Sequence, residues 1–274
     1  MPRKRFAFQG ERGAFSEVAG QALAGKQAVP VPFPIFDDVF DAVMRDQADV
    51  GVVPIENSLI GSINANYDLL LDHPVNIVGE YQLRIIHCLI AQPGVSLRQI
   101  KTVYSHPAAL DQCRGLFTKY RRLKPVAFYD TAGAVRHLAN TKKSDAAAIA
   151  SPHAATLYGM SVLKHSIEDD RKNFTRFVML SKTAICPRQD AKTSIVFSLQ
   201  STPGALFKAL SVFALRDINM TRIESRPARH TVWNYNFFVD IEGCTSDDTV
   251  GNALDNLREI ATFVRVLGCY RKMA

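Results

Sequence analysis

The stretch Ala48-Asp49-Val50-Gly51-Val52-Val53-Pro54-Ile55-Glu56-Asn57-Ser58 decides how this chain is read. A short apolar run is the length of a strand buried on both faces, and three consecutive polar side chains follow its C-terminal end. Upstream lie a strand pattern at 4–9, a loop from Gly10 to Gly13 and helical spacing over 14–24, stopped by Gly25. An extended run at 31–36 follows, which Pro32 and Pro34 confine to a sheet edge or an irregular strand, and then a helix at 37–45. Downstream the alternation resumes. A long strand is expected at 80–91, strands at 101–104, 125–129, 146–150 and 177–180, and helices at 108–120, 131–140 and 153–158. This β-α-β-α order predicts an α/β protein with largely parallel sheets and helices on both faces. Two lobes are expected, one of about 1–79 plus 170–185 and one of about 80–169, with a ligand cleft between them.

A polar, proline-containing linker at 181–192 then ends one rhythm and opens another. Strands at 193–199, 218–225, 231–241 and 263–270, with helices at 204–215 and 246–260, give the order βαββαβ, the ferredoxin-like arrangement. A chain of 274 residues accommodates two such domains, expected at 1–185 and 192–274.

Composition sets the class. Hydrophobic residues make up 47% and charged residues 22%, which suits packed cores and argues against disorder. The net charge of +7 is spread along the chain, densest at Arg3-Lys4-Arg5 and from Lys119 to Lys124. No nucleic-acid motif accompanies it, and a diffuse positive excess also draws small anionic metabolites. Five cysteines without C-x-x-C spacing predict reduced, buried thiols in a cytosolic protein, with neither a disulfide framework nor a metal site. The N-terminus lacks the apolar stretch of a signal peptide, and no run is long enough to span a membrane.

Four polar clusters in the first part sit at strand ends or helix starts. Gly10-Glu11-Arg12-Gly13-Ala14-Phe15-Ser16 is a strand-to-helix turn whose free N–H groups suit an anion, or a plain turn with Ser16 as a cap. Glu56-Asn57-Ser58 lies where open α/β sheets bind ligands, or is a solvated loop. Asp130-Thr131-Ala132-Gly133-Ala134 offers a hydroxyl and small residues that let a ligand approach, or simply caps a helix. Asn173-Phe174-Thr175-Arg176-Phe177 sets a hydroxyl beside a guanidinium, between aromatic neighbours.

Glu56-Asn57-Ser58 and Asn173-Phe174-Thr175-Arg176-Phe177, together with Ser105-His106-Pro107-Ala108-Ala109-Leu110-Asp111-Gln112-Cys113 and Ala147-Ala148-Ile149-Ala150 followed by Tyr158-Gly159, resemble the signatures of the prephenate dehydratases, and the match runs in order from about Phe6 to Leu180. Pro203-Gly204-Ala205-Leu206, Ile218-Asn219-Met220-Thr221 and Glu224-Ser225-Arg226-Pro227 resemble the ACT domain that follows in that family. Two departures stand out: Glu11-Arg12 in the first loop, where an uncharged residue is expected, and Ala108-Ala109, where glutamine is common.

The resemblance implies a two-lobed fold like that of periplasmic binding proteins, followed by the regulatory domain. It implies a carbon–oxygen lyase that eliminates water and carbon dioxide from prephenate to give phenylpyruvate in phenylalanine biosynthesis. Arogenate dehydratase, acting on the amino analogue, is the alternative, and a non-catalytic amino-acid sensor is a further one. Aromatisation drives the reaction, so no cofactor or metal is expected. On this reading Arg176 fixes a carboxylate, Thr175 donates to the departing hydroxyl, and Glu56 has a structural or acid role. Asn57, Ser58, Thr131 and Ser16 orient the substrate, Phe177 keeps the site dry, and His106 is structural. The effector L-phenylalanine is expected at Gly204, Ala205, Leu206, Asn219, Met220, Glu224, Ser225 and Arg226. Pairing of ACT domains implies a homodimer, within a homotetramer, and neither nucleic acid nor membrane is an expected partner.

Overall fold

The structure is a computed structural model that describes residues 3–187, 189–228 and 234–273. It divides into two compact units, Met1–Leu69 with Tyr81–Met179 and Leu70–Glu80 with Leu180–Ala274.

The first unit holds two sheets. In the first, β1 (Arg5–Gln9) pairs in parallel with β2 (Val29–Phe33) and with β3 (Val50–Asn57). The short β4 (Gly61–Ser62) folds back on β3, β5 is Asn76–Arg84 and β11 is Phe174–Ser181. The sheet order is β2-β1-β3-β11-β5. The proline-bearing strand β2 thus sits at the edge, where its missing N–H groups break no ladder. Phe6, Ala7 and Phe8 of β1 and Val52 and Val53 of β3 are fully buried. Helix α1 (Phe15–Ala24) packs on β1, with Gly20 directly over the ring of Phe6, and α2 (Phe36–Met44) buries Val39, Phe40, Ala42 and Val43.

The second sheet comprises β6 (Cys88–Ala91), β7 (Thr102–Ser105), β8 (Lys124–Ala127), β9 (Ala146–Ala150) and β10 (Ser161–Lys164), in the order β10-β6-β9-β7-β8. Its helices are α4 (Pro107–Asp111), α5 (Arg114–Lys119), α6 (Thr131–Thr141) and α7 (Pro152–Leu157). The sheets are mixed: β7 pairs in parallel with β8 and β9, while β6 pairs antiparallel with β9 and β10.

Several expectations are corrected. The single strand at 80–91 is two strands in different sheets, and residues 85–87 carry the chain from one lobe to the other. Neither Gly nor Pro marks the break, and Ile85-Ile86-His87-Cys88 reads on as strand. The helix at 108–120 is two short helices, interrupted at Gln112 and Cys113. Helix α3 (Asn64–Asp72) and strand β10 lie where neither was expected. Strand β11 begins at Phe174, so Thr175 and Arg176 lie within it and not at its mouth.

The second unit has β12 (Ala191–Ser198), α8 (Ala205–Ala214), β13 (Met220–Pro227), β14 (Tyr235–Glu242), α9 (Asp248–Ile260) and β15 (Phe263–Arg271). The antiparallel sheet runs β13-β14-β12-β15, the ferredoxin-like order. Residues 231–233, expected at the start of β14, lie outside the described residues. The segment Leu70–Glu80 belongs to this unit by compactness. Arg265 donates to the carbonyls of Leu71, His73 and Val75 at 3.1, 2.7 and 3.2 Å, and Lys192 pairs with the buried carboxylate of Glu80 at 2.7 Å. The expectation of five reduced cysteines is also corrected. Cys186 and Cys244 form a disulfide across 58 residues of sequence, a pairing that spacing alone does not reveal, while Cys88, Cys113 and Cys269 are buried free thiols. Among the described residues no helix is long and apolar enough to cross a membrane.

Candidate active site

A cavity of about 390 Å³ opens in the first unit, between its two sheets. That size suits a small-molecule substrate. From the first lobe it is lined by Gln9, Phe15, Ser16, Pro54 and Asn57, and from the second by His106, Ala108, Gln112, Asp130 and Thr131. Ile85 and His87, on the crossing segment, and Thr175 and Phe177, on the returning strand, complete it.

Its centre is a buried hydrogen-bond chain. The Asn57 amide nitrogen donates to Asn173 Oδ1 at 2.8 Å and to Thr175 Oγ1 at 2.9 Å. The Asn57 carbonyl accepts from the backbone N–H groups of Leu59 and Ile60, which holds its turn and orients the amide. Asn173 donates to Gln112 Oε1 at 2.9 Å, and the same oxygen lies 2.9 Å from His87 Nε2. A carbonyl oxygen only accepts, so Nε2 carries the proton and Nδ1 is a bare lone pair. Burial holds the His87 pKa below the ordinary histidine value, consistent with a neutral ring. Thr175 is 7% exposed and accepts from Asn57, which leaves its own O–H free to donate.

Strand alternation sorts the expected residues. Asn57, Thr175 and Phe177 face the cavity. Glu56 and Arg176 are their neighbours in sequence and belong to the opposite faces of β3 and β11. Arg176 Nη1 lies 4.0 Å from Glu56 Oε2, and neither residue lines the cavity. Ser58 does not line it either. Its hydroxyl donates to the Lys172 carbonyl at 2.6 Å and accepts from the Phe174 N–H at 2.9 Å, tying the β3 turn to the start of β11. Ser16 and Thr131 do line it, each in the first turn of a helix. His106 lines the cavity and accepts from the Ala108 N–H at 3.2 Å as the cap of α4.

The two unusual residues of the first loop have partners. Glu11 accepts from Tyr129 at 2.9 Å and pairs with Arg136 at 2.8 Å, joining the loop to the second lobe. Arg12 pairs at 2.9 Å with Glu17, a carboxylate that also accepts from the Gly13 N–H, so Arg12 is not directed at a ligand. Gly13, at φ +92°, passes so close to α7 that a Cβ would lie 2.9 Å from the Ala154 backbone. Gln112, His87 and Asn173 are site residues to which the sequence assigned no role, and Asp130 was read there only as a possible helix cap. Gln112 and Asn173 sit inside the quoted signature strings, which was the one available signal, and His87 is hidden within an apolar run.

The model of the prephenate dehydratase family matches residues 6–185, and that of the ACT domain matches 193–259. The chain belongs to the prephenate dehydratase family. It is 49% identical over 98% of its length to arogenate dehydratase/prephenate dehydratase 2, chloroplastic, of Arabidopsis thaliana, covering 73% of that protein. It is 48% identical to arogenate dehydratase 2 of Petunia hybrida, again over 98% of the chain and covering 72% of that protein. Among solved structures, the prephenate dehydratase of Arthrobacter aurescens in complex with L-Phe superposes with a TM-score of 0.89 at 32% identity, covering 98% of this chain and 90% of that one. A protein described as a novel type of quorum-quenching acylase superposes with a TM-score of 0.91 at 33% identity, covering 98% of each chain.

In the second unit, Ala205 and Leu206 line a cavity of about 160 Å³ with Leu199, Gln200, Tyr235 and Phe237. Gly204, at φ +76°, precedes α8, whose first N–H groups have no side-chain cap. Met220, Glu224, Ser225 and Arg226 lie on β13 at the sheet edge, with Asn219 just before it, and none of these lines that cavity. Glu224 Oε2 lies 3.3 Å from Arg222 Nη2.

Proposed function

We propose that the first unit catalyses the decarboxylating dehydration of the cyclohexadienyl ring common to prephenate and arogenate, giving phenylpyruvate from the former and phenylalanine from the latter. The observation that carries this reading is the acceptor role of Thr175 towards Asn57, which leaves the threonine O–H free to donate in a buried site that lines the cavity. The bond from the ring to its carboxylate breaks, its electron pair enters the ring, and the hydroxyl on the opposite carbon leaves. The Thr175 hydroxyl donates a hydrogen bond to that oxygen as its bond to the ring breaks, carbon dioxide is released, and the departing hydroxide takes a proton from solvent to become water. A fixed donor in a site shielded from water stabilises the developing charge far better than the same group in solution. Phe15, Ile60, Ile63, Ile85 and Phe177 supply the apolar wall. The uncapped first turn of α1, beside Ser16, presents N–H groups suited to a substrate carboxylate. Arg176, paired with Glu56 behind the strand, acts on the site through its field and by holding β11 in place. The assay is product formation from purified prephenate and arogenate. Turnover of either supports the reading, and turnover of neither rejects it.

An acylase reading finds less support. Ser16, the cavity's only serine, makes no hydrogen bond to His87 or His106 among the described residues, so it has no base to activate it.

The second unit is proposed to bind L-phenylalanine and so regulate the first, acting in the cytosol as a homodimer within a homotetramer. Its edge strand β13 and the outward side chains Phe207 and Leu215, 75% and 81% exposed, suit pairing with a second copy. An effector must bind one state more tightly than another to act. Unchanged activity at saturating L-phenylalanine would reject the regulatory part, and a monomeric mass by light scattering would reject the assembly.

A further inference from the structure

The charges around the main cavity are few. Among the described residues no lysine or arginine lines it, and its ionisable groups are His87, His106, Tyr129 and Asp130. Burial lowers the His87 pKa, and Asp130 is the carboxyl group among the residues that line the wall.

Asp130 is the cap of α6. Its Oδ1 accepts from the Gly133 N–H at 2.7 Å. Its Oδ2 lies on the opposite side, 3.0 Å from the place a Cβ would take on Gly10, where the first loop leaves β1. The carboxyl lines the main cavity and also an adjoining one of about 260 Å³ formed with Gln9, Gly10, Glu11 and Tyr129. Arg136, on the same helix, lies against Glu11, and no cation pairs with Asp130 among the described residues. Burial raises the Asp130 pKa, as expected for a carboxylate whose charge is not neutralised. A carboxylate in that position disfavours further negative charge and favours a ligand cation.

Prephenate and arogenate share the ring, its hydroxyl and two carboxylates. They differ at one atom of the side chain, a keto oxygen in the first and an ammonium in the second. Prephenate brings two negative charges and no cation, whereas arogenate brings the counter-ion that the wall lacks. We propose that Asp130 is a specificity-determining residue that receives the substrate ammonium through Oδ2, and that the enzyme therefore favours arogenate over prephenate. The proposal rests on the dehydratase reading of the same cavity.

The test separates charge from capping. Asparagine caps a helix about as well as aspartate but carries no charge, and Asp130→Ser supplies a second neutral cap. Wild type is expected to show the higher kcat/KM on arogenate. In Asp130→Asn the ratio of arogenate to prephenate kcat/KM should fall at least ten-fold, through loss on arogenate with prephenate equal or improved, and Asp130→Ser should follow. An equal loss on both substrates, an unchanged ratio, or a wild-type preference for prephenate would overturn the assignment while leaving the dehydratase reading intact. Turnover of neither substrate by wild type would instead sink that reading, and the inference with it.

Discussion

Thr175 is a poor acid in water, and nothing in its own chemistry marks it for catalysis. Its value comes from placement, because one amide nitrogen of Asn57 serves both Thr175 and Asn173 and so leaves the threonine proton available to donate. Thr175→Val keeps the shape and removes the donor. Its turnover should fall by about 10²-fold or more while the far-ultraviolet circular dichroism stays that of wild type. Near-normal turnover would remove Thr175 from the reaction. The Thr175 donor and the Asn57 loop were legible as residue types following strands. The separation of Arg176 from the cavity was not, because it depends on where β11 begins, and a start at Phe174 turns alternate side chains to opposite faces.

At the scale of the element, the cavity depends on two turns and one close contact. Gly10 and Gly13 take positive φ, which lets the first loop lie against Asp130 and α7. Gly20 lets α1 settle on β1, since a Cβ there would stand 2.1 Å from a ring carbon of the fully buried Phe6. Gly20→Ala must therefore displace either the helix or the ring. It should cost about 1–3 kcal/mol in urea unfolding, although alanine is the better helix former. A variant as stable as wild type would show that the packing can shift without strain. The glycines themselves stand plainly in the sequence, but their reason does not, because Ala154 and Asp130 are far from them along the chain.

For the whole molecule, the second unit is stapled by Cys186–Cys244 and by the Arg265 contacts to the 70–80 segment. Closing a loop of 58 residues restricts the unfolded chain, a stabilisation of about 2–4 kcal/mol. Reduction with dithiothreitol, or Cys186→Ser, should lower the thermal midpoint of the second unit. An unchanged midpoint would show that the bond adds nothing to stability. If L-phenylalanine binds this unit, it should stabilise it by roughly 2.7 kcal/mol at a hundredfold excess over its Kd and raise the same midpoint in a concentration-dependent way. No shift at millimolar effector would exclude binding to the native state.

The order of elements, the change of rhythm near residue 190 and the signature strings were determined by the amino-acid sequence, because apolar periodicity and turn residues act over a few neighbours. The regrouping of 70–80, the disulfide, the hydrogen bond between His87 and Gln112, the pairing of Glu11 with Arg136 and the place of Asp130 beside Gly10 were decided by tertiary structure alone. Each depends on groups tens of residues apart meeting at hydrogen-bonding or covalent distance, and such meetings are set by how strands enter sheets and not by any local pattern.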